Sequence, residues 1–213
     1  MADRTFRVQK NREDAIRVLQ IVIDTLTAHG IGYYLDFGTL IGAIRDKGLI
    51  AWDDDIDISL LNEEDYVKIP QVLKEIKRKH KLRTYLFTFE DAKKKREKRG
   101  KKIYQDSINF TSNTNYQIAK VRTNNYFIFG RGNTCIDIFF KYTHKDNMYW
   151  MAYGQINSVP TSCFKNKLEE IDFCGLKCTI PKEYNEYLTY KYGDWMTPKE
   201  NWTHTDDDFS INS

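Results

Sequence analysis

The segment IAWDDDIDISLL, residues 50–61, constrains this chain more than any other. Asp53, Asp54, Asp55 and Asp57 crowd into five positions and repel one another unless a cation neutralises them. From Asp55 onward acids alternate with isoleucines and run into two leucines, which reads as a strand over 55–61. Successive strand side chains face opposite ways. Asp53, Asp55 and Asp57 therefore share one face, while Ile56 and Ile58 anchor the other in a core. Asp55 and Asp57 stand roughly 6–7 Å apart along such a strand, close enough to converge on one ion. Hard oxygen donors favour Mg2+ or Mn2+ over zinc, and Mg2+ also accepts water and phosphate oxygens. Trp52, just before the acids, is a candidate wall of a cleft.

Asp137 sits in CIDIFF, between Ile136 and Ile138. A charge in such an apolar strand is costly unless it is paired or bound to a cation. One reading pairs it with a nearby Lys or Arg. The other makes it the third carboxylate of a metal triad. Lys120 and Arg122 share one face of a strand in IAKVR and are either phosphate ligands or surface charge. DFGTLIGAIR, 36–45, turns into a short helix before the acids. Gly38 permits a close backbone approach, and Thr39 opens the helix, whose free N–H groups suit a phosphate. Gly42 leaves room for a ligand or a neighbouring strand. Arg45 reaches a phosphate or one of the aspartates.

The rest of the chain supplies a scaffold. Apolar spacing predicts a helix over 12–29, a strand over 31–37 and a helix from Asn62 to about His80, bent near Pro70. Further strands are expected at 81–90 and within 103–142. Pro181 is expected in the first turn of a last helix ending at Gly193, with Tyr192 and Trp195 packing it on the sheet. The pattern is α+β (mixed α/β), a mixed central sheet flanked by helices, in one domain over 1–213. KKKREKRGKK, 93–102, reads as a mobile basic loop, and 204–213 as a frayed polar tail.

A net charge of +3 does not describe a general nucleic-acid binder. The four cysteines lack the paired spacing of a zinc site and are expected as free thiols. No apolar run approaches the roughly 20 residues of a membrane span. The start, MADRTFRVQKNRED, has no signal-peptide core. A soluble, cytoplasmic protein is expected, held near a membrane only through a partner or a surface patch.

LDFGTLIGAIRDKGLIAWDDDIDISL closely resembles the signature of the LicD/fukutin family, G-T-L-L-G-x-x-R followed by P-W-D-D-D-x-D, with Ala51 where the family has Pro. CIDIFF resembles its later D-I-F strand, IAKVR the segment before that strand, and YLTYKYGDWMTP its closing motif. The basic run 93–102 lies outside the pattern, as an insertion. The resemblance implies a nucleotidyltransferase-type fold. It also implies transfer of a phospho-substituent, of phosphocholine or phospho-alditol type, from a CDP-linked donor to a sugar hydroxyl of a glycan acceptor. It assigns donor phosphates to Gly38 and Thr39, and metal to Asp55 and Asp57. Asp137 becomes third ligand or general base, with Asp53 assisting. Two other readings keep the same residues. One is nucleotidyl transfer to protein, RNA or a small molecule; the other is an inactive binding protein whose basic loop recruits RNA or anionic lipid.

Overall fold

The computed structural model describes residues 3–98, 114–125, 130–152, 154–164, 168–200, 202–203 and 208–211. Helix α1, Gln9–Ala28, buries Ala15, Val18, Leu19, Val22, Ile23 and Leu26 at helical spacing. It starts three residues before the apolar pattern does. It ends at Gly30 with φ +67°, where the Ile31 N–H donates to the Leu26 carbonyl at 3.0 Å, a left-handed cap.

Strand β1 is only Tyr33–Leu35, shorter than expected, because Asp36 leaves it to cap helix α2, Phe37–Ile41. A π-helical turn, Gly42–Asp46, continues α2. That wide turn folds Gly42 back on the next loop, so a Cβ there would lie 2.5 Å from the Gly48 carbonyl oxygen. Gly42 makes room for backbone, not for ligand. Gly42→Ala is expected to destabilise the fold by about 1–3 kcal/mol, the usual cost of overpacking a tight site. A urea unfolding midpoint equal to that of the parent chain would contradict this.

Strand β2 is Asp55–Leu60, followed by a 3-10 turn, Glu63–Lys68, and helix α3, Ile69–His80, with Pro70 in its first turn. Strand β3 is Arg83–Thr88 and helix α4 is Phe89–Glu97. The Asp91 N–H donates to Thr88 Oγ1 at 3.1 Å and the Thr88 N–H to Asp91 Oδ2 at 2.9 Å, a reciprocal cap. Residues 93–97 of the basic run are therefore helical, where a loop was expected. Residues 99–102 lie outside the described ones.

Strands β4, Tyr116–Asn125, and β5, Gly130–Phe139, complete a sheet of order β1-β2-β5-β4-β3. Only β2 and β5 run parallel, so the sheet is mixed, as expected. Helices α1 and α3 pack on its back, over Ile56, Ile58, Ala119, Val121, Ile136 and Ile138, all fully buried. Burial of this apolar face is the main term holding the sheet.

Beyond the sheet lie a three-stranded unit of β6, Tyr142–His144, β7, Asn147–Ala152, and β8, Gln155–Pro160, and a hairpin of β9, Leu168–Phe173, with β10, Leu176–Pro181. Helix α5 is Tyr184–Tyr192, capped by Gly193. Pro181 ends β10 opposite Leu168 and does not enter α5, a correction to the expected helix start. The expected fraying of the tail does not hold for Asp208–Ile211: the Ser158 N–H donates to the Ser210 carbonyl at 2.7 Å, and Asp208 is buried. All four cysteines are free. Among the described residues, no helix is long and apolar enough to cross a membrane.

Candidate active site

The front face of the sheet carries the chemistry, and strand register decides who meets whom. Asp57 on β2 pairs in register with Asp137 on β5, which pairs with Lys120 on β4, which pairs with Tyr85 on β3. The next row is Asp55, Cys135, Arg122 and Arg83. Parallel pairing of β2 with β5 thus places acids from two strands side by side. One carboxylate oxygen each of Asp55, Asp57 and Asp137 lie within 4.8 Å of one another. Asp53, Asp54 and Asp55 form a second acidic group of the same kind, which shares Asp55.

This front face floors a cleft of about 1290 Å³ that also reaches Gly38, Trp52, Phe87, Trp150 and Trp202. It exceeds the roughly 300–1,000 Å³ of an ordinary small-molecule pocket.

Asp137 combines the two sequence readings that were set against each other. It belongs to the acid triad, and its Oδ2 is also ion-paired with Lys120 Nζ. Its Oδ1 accepts a hydrogen bond from Cys135 Sγ at 2.8 Å. Burial opposes the charge on Lys120, but the Asp137 carboxylate outweighs it and raises the ammonium pKa. Asp55 and Asp57 have no cationic partner among the described residues. Burial, then Asp137 and Asp53, push the Asp55 pKa up to about 8. Burial, then Asp55 and Asp137, hold Asp57 well above the carboxylate range. Burial lifts Asp53 to about 6. Three converging carboxylates facing one ammonium lack positive charge, and their hard oxygens suit a divalent cation of the Mg2+ or Mn2+ type.

The turn before the acids is built to hold them. The Asp57 N–H donates to Thr39 Oγ1 at 2.9 Å, and the Asp36 N–H donates to the Asp57 carbonyl at 3.0 Å. Thr39 is buried and supports Asp57 from behind, so its hydroxyl is already committed there. Gly38 borders the cleft, and a Cβ on it would meet Asp53 Oδ2 at 2.9 Å. Phe37 has φ +46°, a left-handed backbone that a bulky residue rarely adopts. It is held by the Asp36 carboxylate, which accepts the Phe37 N–H at 2.8 Å, and by edge-on packing on Phe139 at 4.8 Å.

Arg45 lines the cleft but pairs with Asp46 at 2.7 Å and donates to the Trp195 carbonyl at 3.2 Å, with no ion pair to the triad acids among the described residues. Arg122 lines the cleft beside Lys120 with no ion-pair partner among the described residues. Trp52 is half-buried on the wall. Gly42 is not part of the cleft lining.

Two buried ion pairs behind and beside the cleft escaped the sequence reading. Asp36, fully buried, takes Lys141 Nζ at 2.6 Å, Tyr187 Oη at 2.7 Å and Ser59 Oγ at 2.5 Å. The Lys141 ammonium lies among the rings of Trp150, Phe37, Tyr187, Tyr34 and Phe164, 4.6–5.4 Å from their centres. The second pair joins Lys191 to Asp208 of the tail at 2.6 Å, and both border the cleft. Tyr192 and Trp195 are mostly buried and also border the cleft.

The sequence profile described as LicD/FKTN/FKRP, nucleotidyltransferase domain, matches residues 30–183. An uncharacterised Rickettsia typhi protein is 35% identical over 74 residues, covering 33% of this chain and 24% of that protein. The ribitol-5-phosphate transferase FKTN of Macaca fascicularis is 23% identical over 206 residues, 94% of this chain and 37% of FKTN. The lipopolysaccharide cholinephosphotransferase LicD of Haemophilus influenzae is 62% identical over 34 residues, 16% of this chain and 13% of LicD. This chain therefore spans well under half the length of each of these relatives. Because the profile covers most of the 213 residues, from the turn before the acids to the start of α5, the chain belongs to the LicD/FKTN/FKRP nucleotidyltransferase-domain family.

Proposed function

We propose that this chain transfers a substituted phosphate group from a CDP-linked donor to a sugar hydroxyl of a glycan, at a metal centre formed by Asp55, Asp57 and Asp137. The observation that carries the reading is the meeting of those three carboxylates within 4.8 Å, on the floor of a cleft large enough for a donor and an acceptor together. Membership of the family supports it, as do relatives named for ribitol-5-phosphate and cholinephosphate transfer.

A divalent cation bound by the triad supplies the charge neutralisation that phosphoryl transfer needs. The chain does the rest. Gly38, with no side chain of its own, leaves its backbone open to the donor diphosphate on the cleft side, next to Asp53. Thr39 holds the Asp57 strand in place. Lys120 and Arg122, on the β4 side of the triad, balance developing negative charge on the transferred phosphate. Asp137 accepts the proton of the sugar hydroxyl as its oxygen bonds to phosphorus. The bond between that phosphorus and the CMP oxygen breaks, and CMP leaves.

The test is release of CMP from CDP-choline and CDP-ribitol, each with a glycan acceptor. The reading expects release that requires Mg2+ or Mn2+ and stops with EDTA. Pyrophosphate release from nucleoside triphosphates, with no CMP from either donor, would move the assignment to nucleotidyl transfer.

A further inference from the structure

Among the described residues, Lys120 is the one cation paired with any of the three triad carboxylates. Antiparallel register puts it directly across from Asp137, on the cleft face of β4. Its side chain is 25% exposed and lines the cleft. The Asp137 oxygen it engages belongs to a carboxylate that the metal centre also needs. An ammonium held on that carboxylate repels a divalent cation bound to it a few ångströms away, so the two compete for Asp137. A lysine on a four-carbon stem can leave without disturbing the strand, whereas a guanidinium locked in a fork cannot do so as freely.

We propose that Lys120 is a built-in counter-ion that occupies the metal centre's acids until a divalent cation binds, and then swings into the cleft to hold the donor phosphate. The idea rests on the metal centre proposed above and adds a coupling to it. Because Lys120 must leave before the cation seats fully, cation binding alone is weakened. Because the displaced ammonium then finds phosphate, donor and cation strengthen each other's binding, and the linkage is reciprocal. Lys120 thereby favours assembly of the centre around a loaded donor over binding of the metal alone.

The experiment is titration calorimetry of the full chain with Mn2+, with and without CDP, for the parent protein, Lys120→Met and Asp57→Asn. Lys120→Met is expected to bind Mn2+ about tenfold more tightly than the parent in the absence of CDP, within the usual range of such couplings. CDP is expected to tighten Mn2+ binding several-fold in the parent, roughly 5-fold or more, and much less in Lys120→Met. Asp57→Asn is expected to lose Mn2+ binding. If the parent binds Mn2+ and Lys120→Met binds it equally or more weakly, the counter-ion role is wrong and the metal centre stands. If the parent binds no Mn2+ even with CDP, both are wrong. Should Lys120→Met not fold, the side-chain nitrogen resonance of Lys120 in the parent decides. It is expected to move when Mg2+ is added, and a resonance that stays put overturns the proposal.

Discussion

Replacing Asp57 by Asn is expected to reduce CMP release by at least about 10²–10³-fold, the scale of losing one group aimed at the charge of a transition state. The same change is expected to stabilise the cation-free protein. Asp57 lies half-buried beside Asp137, with Asp55 two residues away, and no ion pair holds it among the described residues. The sign follows from linkage. A carboxyl whose folded pKa is raised binds its proton more tightly when folded than when unfolded. Its contribution is complete below the unfolded value and is lost as pH rises through the folded one. For Asp55 that window runs from 3.8 to about 8. In EDTA, the melting temperature of the parent chain should therefore fall between pH 5 and pH 8. Asp57→Asn removes one of the repelling charges, so its fall should be smaller. Mg2+ should restore the parent at pH 8 and leave the variant unmoved. An Asp57→Asn protein that is less stable than the parent in EDTA, or that keeps its turnover, would show that these acids are ordinary structural groups.

The second large effect lies behind the cleft. Asp36→Ala is expected to destabilise the fold by about 3–5 kcal/mol, the cost of breaking a buried ion pair from one side. Asp36 is the junction of the site. It caps the turn at Phe37, receives Ser59 from β2 and Tyr187 from α5, and neutralises Lys141 at the end of β5. Without it the Lys141 ammonium is left in a box of aromatic rings with no carboxylate. The rings favour a cation but do not replace an anion and its hydrogen bonds. The double variant Asp36→Ala with Lys141→Met removes both charges and is expected to regain most of the loss. Chemical denaturation of the three proteins checks this. A single variant within about 0.5 kcal/mol of the parent, the range of ordinary surface changes, would mean that the pair contributes little.

The acid strand was legible because few arrangements tolerate four clustered aspartates next to isoleucines. Asp137 was legible for the same reason: a charge inside CIDIFF needs a partner. Their meeting was one of two open readings, since it depends on parallel pairing of β2 with β5 across some 70 intervening residues, which no local pattern specifies. The resemblance of the surrounding motifs supplied what local pattern lacked. Asp36 was passed over because, beside Gly38 and Thr39, it read as part of a turn. Its position immediately before a helix start was the available signal for a cap. Nothing local in the sequence reports that Trp150 and Tyr187 fold over Lys141. In α4 the dense positive charge obscured the Thr88-x-x-Asp91 cap. In the tail, a polar sequence concealed Asp208, whose burial depends on Lys191 of α5. Strands β6 to β10 are only three to six residues long, so their periodicity carries little weight against their turns.

Everything proposed for this site requires that aspartates from two strands share one divalent cation. Anomalous diffraction from crystals grown with Mn2+ and CDP tests it without any assay of turnover. The account predicts a peak bounded by the carboxylates of Asp55, Asp57 and Asp137, on the cleft side of β2 and β5. A crystal that holds Mn2+ only at Asp53 and Asp54, or that leaves Asp137 paired with Lys120 beside bound CDP and no metal, would contradict it.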